Sequence, residues 1–363
     1  MKVMTIIGTR PEIIRLSLII QKLDHYADEH ILVHTGQNYD QRLSEIFFNQ
    51  LKIRLPNYHI KLSNSSVGSQ IGQIFDVVEK IIEKHNPDKI LVLGDTNSAL
   101  CAFLGERHGI PVYHMEAGNR CYDHKVPEEI NRKVIDSISS FNLPYTSTAK
   151  ENLLREGVHP QKIWVSGNPI FEVIKYYKEE ISKSNILEEL NVKNKNFILV
   201  TAHRAENVDI KERLQKIIDS LTIIAQKHRI PIICSVHPRM KDRLDKFEIR
   251  VHEPLLNLCK PFGFFDFIQL QKHASCTITD SGTVQEESCI LGVPSVTIRN
   301  STERPETVLC GSNIISGLET KAIVRSVELM MQVKPTWKLP EGYDDPIVSH
   351  KIVNFILGGL SHL

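Results

Sequence analysis

The chain has 363 residues, 41% of them hydrophobic, enough for about two ordinary globular domains. Its 44 basic and 43 acidic side chains leave a net charge of +1, so no global field draws it to nucleic acid or to an anionic membrane, and any anion must be held locally. Seven scattered cysteines without a Cys-x-x-Cys pair speak against a disulfide frame and zinc, and no apolar run reaches the length of a signal-peptide core or a membrane span, so the expectation is a cytoplasmic protein with reduced thiols.

Residues 2–7 form a continuous apolar run that reads as a buried strand. It is closed by Gly8-Thr9-Arg10-Pro11-Glu12, after which Ile13, Ile14, Leu16, Ile19, Ile20 and Leu23 recur at helical spacing. Glycine lets a ligand approach the backbone, proline starts the helix, and Arg10 with Arg15 brings two cations to its N-terminus; this is either an anion site or a plain turn with surface arginines. A strand at 30–34 leads through Gly36-Gln37-Asn38-Tyr39-Asp40 to a helix through Phe47, Phe48 and Leu51. A helix at 71–82 then ends at Pro87-Asp88 before a strand at 89–93. Gly94-Asp95-Thr96-Asn97-Ser98 opens the next helix, with Asp95 as its N-cap or as a group facing a ligand beyond the strand's C-terminal end.

The densest polar stretch is 114–132. It follows a short strand expected at 110–113 and precedes a helix that Pro127 starts and Glu128-Glu129 suit electrostatically. So many ionisable groups sit badly in a core, so the stretch reads as a polar loop at a strand end, where open α/β sheets place their ligands. Strands are expected at 141–144 and 162–165 with a helix at 146–156 between them, and 178–195 reads as a connecting helix and turn.

Beyond that connector a second alternating set begins. Its strands at 196–201, 231–235, 276–279 and 294–298 run into Ala202-His203-Arg204, Val236-His237-Pro238-Arg239, Asp280-Ser281-Gly282-Thr283 and Arg299-Asn300-Ser301-Thr302-Glu303-Arg304. The pattern predicts an α/β protein of two Rossmann-like, doubly wound parallel-sheet domains, 1–170 and 171–363, with the last helix a candidate to pack back on the first domain.

Asp280-Ser281-Gly282-Thr283 puts small residues and free backbone N–H groups at a helix start, a seat for phosphate, and one turn on Glu286 can accept two hydroxyls, as a ribose diol offers. A pyrophosphate beside a ribose is a nucleoside diphosphate. Neither a Walker loop nor Gly-x-Gly-x-x-Gly is present, which disfavours ATP hydrolysis and NAD. Phe262, Phe264, Phe265 and Phe267 offer either a base-stacking face or core packing.

Such a seat in the second domain, with carboxylates in the first, suggests a cleft enzyme acting on a nucleotide sugar. Gly8-Thr9-Arg10-Pro11-Glu12, Gly94-Asp95-Thr96, Glu116-Ala117-Gly118, Pro127-Glu128-Glu129-x-Asn131-Arg132, Asp280-Ser281-Gly282 with Gln285-Glu286-Glu287, and Thr302-Glu303-Arg304-Pro305-Glu306 resemble, in order, the non-hydrolysing UDP-N-acetylglucosamine 2-epimerases. The resemblance implies a glycosyltransferase-B-like fold with two domains facing a cleft, a homodimer, no cofactor, no metal, and inversion at C2 of a UDP-linked 2-acetamido sugar. A C2 proton beside an acetamido group is not acidic enough to remove directly, but it can leave if UDP departs from C1, giving a glycal that UDP re-attacks.

By the same resemblance Asp95, Glu116 and Glu128 are the catalytic carboxylates, and Arg10, His203, Ser281 and Gly282 stabilise the diphosphate. Arg15 adds a cation, Arg132 and His237 contact sugar or phosphate, Glu286 the ribose, Arg304 an anion and Phe267 the uracil. Three departures stand out. Arg15 replaces a common lysine; Asn119-Arg120-Cys121 and a shorter loop replace Leu-Arg-Thr; and Gln37-Asn38 differs from the Gln-His pair near which some members bind a second nucleotide sugar. The Asn-Arg-Cys version resembles the branch that makes UDP-N-acetyl-L-fucosamine from UDP-2-acetamido-2,6-dideoxy-L-talose for capsule or O-antigen synthesis, with UDP-N-acetylglucosamine to UDP-N-acetylmannosamine as the alternative. A glycosyltransferase of the same fold would share the diphosphate seat but not need the three carboxylates, and a nucleotide-sugar sensor would survive their loss.

Overall fold

The computed structural model describes residues 1–37, 41–63 and 66–358. The chain divides into two compact units, Met1–Lys175 together with the segment from Glu341 onward, and Tyr176–Pro340.

In the first unit the apolar runs become β1 (Lys2–Ile7), β2 (Glu29–His34), β3 (Tyr58–His59), β4 (Lys89–Leu93), β5 (Val112–Met115) and β6 (Phe141–Leu143), a parallel sheet in the order β3-β2-β1-β4-β5-β6. Strands covered on both faces need no polar alternation, and Met4, Ile6, Val33, Ile90, Val92 and Val112 fill the core with Ile74, Val78 and Ile82 from the helix Val67–His85. The closing helix Val348–Leu357 packs on the helix Arg10–Tyr26, and Lys89 donates to the Ile356 carbonyl.

The second unit repeats the plan with β7 (Ile198–Ala202), β8 (Ile232–Val236), β9 (Leu256–Cys259), β10 (Cys276–Thr279), β11 (Ser295–Thr297) and β12 (Asn313–Ile315), ordered β12-β11-β10-β7-β8-β9. Val200, Ile232, Cys234, Ile278 and Val296 meet Leu214, Ile217 and Leu221 of the helix Lys211–His228. Each sheet is therefore two strand triplets wound outward from the middle. The strand order reverses between β1 and β4 in one unit and between β7 and β10 in the other, and a crevice beyond such a reversal is where this architecture takes ligands.

The structure departs from the sequence expectations at the edges. β3, β9 and β12 carry no strong apolar run, and β5 begins at Val112 and extends through His114 to Met115. Residues 162–165 are not a strand: Pro160–Lys162 is a 3₁₀ turn, and Ile163 pairs with Asn142 in an isolated parallel bridge because three-residue β6 gives the pairing no length to propagate. The connector at 178–195 holds two short helices, Lys178–Ser182 and Ile186–Glu189. Among the described residues no helix is long and apolar enough to cross a membrane.

Candidate functional site

At the reversal in the first unit, the turns after β1 and β4 are tied together by one carboxylate. Thr9 caps the helix Arg10–Tyr26 in a capping box with Glu12, whose Oε2 accepts from the Gly8 amide at 2.9 Å and from Thr9 Oγ1 at 2.8 Å. Its Oε1 accepts from Thr96 Oγ1 at 3.0 Å. Burial pushes the Glu12 carboxyl up to about 7 even though these hydrogen bonds pull the other way. Arg10 lies with its guanidinium carbon 5.8 Å from the Phe47 ring centroid, and burial lowers its pKa. Gln37 Oε1 accepts from Ser98 Oγ at 2.9 Å; Asn38, with Tyr39 and Asp40, lies outside the described residues.

The stretch read as a polar loop at a strand end begins inside β5 and is buried over 114–120. His114, Glu116, Asn119, Arg120, Glu129, Arg132 and Asp136 are all buried. Burial is tolerated because the charges are paired within the unit. His114 Nδ1 lies 2.9 Å from Asp136 Oδ1 and its Nε2 is 2.8 Å from the Gly94 carbonyl, so this histidine of β5 fastens the β4 turn to the helix Pro127–Ile138. Asp136 also meets Arg120 Nη2 at 2.7 Å and accepts from the Gly118 amide at 3.1 Å. Burial alone would raise the Asp136 carboxyl, but His114 and Arg120 outweigh it and hold it below the usual carboxylate range. Burial works against the Arg120 charge too, and Glu156 with Asp136 reverses the balance and raises its pKa.

Glu116, Gly118 and Tyr122 here have positive φ. Glu116 sits at φ 64, an uncommon place for a side chain that bears a Cβ, directly after β5. Gly118 sits at φ 78 with the Ala149 carbonyl oxygen 2.2 Å from where a Cβ would stand, so only glycine fits. Glu129 Oε2 accepts from the Cys121 amide at 3.0 Å and curls the loop back onto its own helix.

Four of the predicted residues of this unit come together as two ion pairs. Arg15, buried, pairs with Glu116 and lies 5.7 Å over the Tyr145 ring. Arg132 pairs with Asp95 and donates from Nη1 to the Asn119 carbonyl at 3.0 Å, while Asn131 Nδ2 donates to the Asp95 carbonyl at 2.9 Å. Glu128 is half-buried in the first turn of its helix.

In the second unit one buried carboxylate arranges the reversal. Asp280, at the end of β10, accepts from the backbone amides of His203 at 3.0 Å and Arg204 at 2.9 Å, and from Asn207 Nδ2 at 3.0 Å. His203 Nδ1 lies 3.2 Å from its Oδ1. Burial opposes the Asp280 charge, but His203 and these donors hold its carboxyl well below the usual range. His203 remains 39% exposed in its side chain, with its ring centroid 5.8 Å from that of His237, so both imidazoles face the same region beyond the strand ends. His237 caps the helix Pro238–Lys246.

Ser281 is the N-cap of the helix Gly282–Leu291, and a Cβ on Gly282 would stand 2.8 Å from Glu303 Oε1. Glu303 is held by Arg204 Nη2 at 2.9 Å and Arg299 Nη1 at 2.6 Å. Glu286 and Arg304, assigned separately to ribose and anion by sequence, are both buried and pair with each other, Arg304 Nε lying 2.6 Å from Glu286 Oε1. Phe267 is half-buried on the helix Phe264–His273, packed against the cluster around Leu199 and Ile233. Sequence reasoning singled out neither Asp280, Arg204 and Glu303 nor Glu12; all four lie inside motifs it quoted, and the signal available was a carboxylate or arginine immediately beyond a strand end. Among the described residues no group of three or more His, Cys, Asp or Glu is placed to hold a metal ion.

Residues 21–357 match the profile of the UDP-N-acetylglucosamine 2-epimerase family. The UDP-N-acetylglucosamine 2-epimerase of Methanocaldococcus jannaschii is 41% identical over 349 residues, covering 94% of this chain and 95% of the relative. The UDP-2,3-diacetamido-2,3-dideoxy-D-glucuronate 2-epimerase of Pseudomonas aeruginosa is 34% identical over 330 residues, 90% of this chain and 91% of the relative. The crystal structure of the M. jannaschii UDP-GlcNAc 2-epimerase in complex with UDP-GlcNAc and UDP superposes with a TM-score of 0.93 at 39% identity, covering 99% of this chain and 100% of that one.

Proposed function

The chain belongs to the UDP-N-acetylglucosamine 2-epimerase family, a family of nucleotide-sugar isomerases, and from that premise we propose that it inverts C2 of a UDP-linked 2-acetamido sugar by eliminating and re-adding UDP. A base takes the C2 proton, the C1–O bond breaks toward UDP and a C1=C2 double bond forms. Proton return to the opposite face of C2, with UDP attack at C1, completes the inversion without water. The observation that carries this reading is the pairing of Asp95 with Arg132 and of Glu116 with Arg15 at the ends of β4 and β5. Both carboxylates are anchored by guanidinium groups, as proton-transfer groups that must keep their aim require, and Glu128 stands in the helix that follows. In the second unit the Ser281-Gly282 helix start and His203 suit the diphosphate, where negative charge develops as UDP leaves. In the first unit Arg10 adds a cation at the turn after β1. Glu286 serves the ribose with Arg304 balancing its charge, His237 serves the phosphate and Phe267 the uracil. The family resemblance also implies a homodimer, which sedimentation equilibrium would read directly.

For the sugar, the reading is UDP-2-acetamido-2,6-dideoxy-L-talose, going to UDP-N-acetyl-L-fucosamine. Asn119 stands where leucine is usual, is buried beside Arg132, and its Nδ2 has no hydrogen-bond partner among the described residues, a donor left for a ligand. UDP-N-acetylglucosamine is the second reading, favoured by the names of the M. jannaschii relative and its complex. Turnover of both sugars by the wild type and by Asn119→Leu separates them. The first reading expects the talo sugar to be preferred by the wild type and that preference to fall in the variant; faster turnover of UDP-N-acetylglucosamine by the wild type would transfer the assignment to the second.

A further inference from the structure

Two thiols of the second unit meet between the helix that carries Glu286 and the turn that ends the helix following Arg304. Cys289, fully buried, lies on the helix Gly282–Leu291 one turn beyond Glu286, and Cys310 is the C-cap of the short helix Pro305–Leu309 that follows Arg304. Their sulfurs are 3.7 Å apart, and Cys310 Sγ is also 3.4 Å from the Thr307 carbonyl and 3.3 Å from Ser312 Oγ. Cys310 is partly exposed, with exposed Val308 and Leu309 beside it, so a small oxidant reaches one sulfur while the other waits behind it.

The pair is chemically asymmetric. The contact with Cys289 lowers the Cys310 thiol below its ordinary value despite burial, while that same contact and burial raise Cys289. Among the described residues Cys234 and Cys276 have no second thiol in hydrogen-bond contact, and burial pushes them up to about 12.

We propose that Cys310 and Cys289 form a peroxide-responsive dithiol which closes to a disulfide across the two helices that carry Glu286 and Arg304, and so reversibly weakens nucleotide binding. The Cys310 thiolate attacks one peroxide oxygen, the O–O bond breaks, and hydroxide leaves; the Cys310 sulfur is oxidised by two electrons to a sulfenic acid. Cys289 then attacks that sulfur, the S–O bond breaks, and the hydroxyl departs with the Cys289 proton as water. In sum two thiols and one hydrogen peroxide give one disulfide and two waters. A disulfide needs about 2.05 Å between sulfurs, so closing the 3.7 Å gap draws the turn at Cys310 toward the helix Gly282–Leu291. Glu286 lies one turn before Cys289 on that helix and pairs with Arg304, the N-cap of the short helix that Cys310 closes, so the ion pair would shift with it.

The test is hydrogen peroxide on the whole folded chain, followed by peptide mapping without reductant and by calorimetric titration with UDP before oxidation, after it, and after dithiothreitol. A peptide pair joined through Cys289 and Cys310, lighter by two hydrogens, is expected, with UDP affinity lowered about tenfold and restored by the reductant. In Cys289→Ser the oxidation should halt at a Cys310 sulfenic acid that dimedone captures, and in Cys310→Ser residue 289 should stay reduced. Oxidation first at Cys121 or Cys259 with no 289–310 link would overturn the dithiol, and a link that leaves UDP affinity unchanged would overturn its coupling to binding. The coupling rests on the nucleotide reading: a reduced protein that binds no UDP would sink that reading, a failure the peptide map distinguishes from failure of the dithiol.

Discussion

The two units share one winding, with strand order reversing at the middle of each sheet, yet they load that position with different chemistry. In the first, carboxylates and arginines are matched pair by pair: Asp95 with Arg132, Glu116 with Arg15, Asp136 with His114 and Arg120. In the second, a single buried carboxylate, Asp280, gathers the backbone amides of His203 and Arg204 beside a helix start. On the proposed reading, the first set suits proton transfer and the second suits an anion. Topology therefore tells where a ligand goes, and only the side chains beyond the strand ends tell what happens to it.

The sharpest way to break this contrast is to neutralise the carboxylates of the first unit. Glu116→Gln and Glu128→Gln should each lower kcat by about 10²–10⁴-fold while UDP binding, measured by calorimetry, stays within about twofold of wild type. Loss of UDP binding with turnover per bound substrate unchanged would reverse the division of labour.

The second unit should respond the opposite way. Asp280→Ala leaves the His203 and Arg204 amides and Asn207 without their acceptor, and denaturant unfolding should show a loss of about 3–5 kcal/mol together with weaker UDP binding. Its carboxyl is held below the usual range, so its contribution is present above the unfolded carboxylate value of about 4 and is lost only as pH falls through its lowered folded value. The stability gap between wild type and variant should stay level from neutral pH to about 4 and close in stronger acid.

A smaller effect sharpens the account of Glu12. Its folded pKa of about 7 lies above the unfolded value, so the folded state binds the extra proton between the two, and stability falls as pH rises through that window. Glu12→Gln should flatten that slope, read as denaturation midpoints between about pH 4 and 7; an unchanged slope would show that another group causes it.

Much of this was legible in the sequence, and the rest was hidden for identifiable reasons. Long apolar runs such as β1 and β4 announce central strands because both faces are covered, whereas β3, with two residues, and β12, with three, lie at sheet edges and carry no such signal. The motifs at 8–12, 94–96 and 280–282 pointed to strand ends, and the structure puts them at the two reversals. His114 was misread as part of a polar loop because an ionisable residue in isolation argues against a core; its partner Asp136 lies 22 residues on, and no local pattern shows that the two meet. The same blindness to long-range pairing separated Glu286 from Arg304 and left Glu12 without a role, although Thr96 reaches it from the turn after β4.

Deprotonation and reprotonation of C2 with UDP eliminated and re-added would leave its mark in proton NMR in D2O. With UDP-2-acetamido-2,6-dideoxy-L-talose and with UDP-N-acetylglucosamine in separate tubes, the account predicts that one of them yields an intact UDP-linked epimer whose C2 proton has been replaced by deuterium. An epimer that keeps its original C2 hydrogen, or release of free sugar in place of the UDP-linked product, would contradict it.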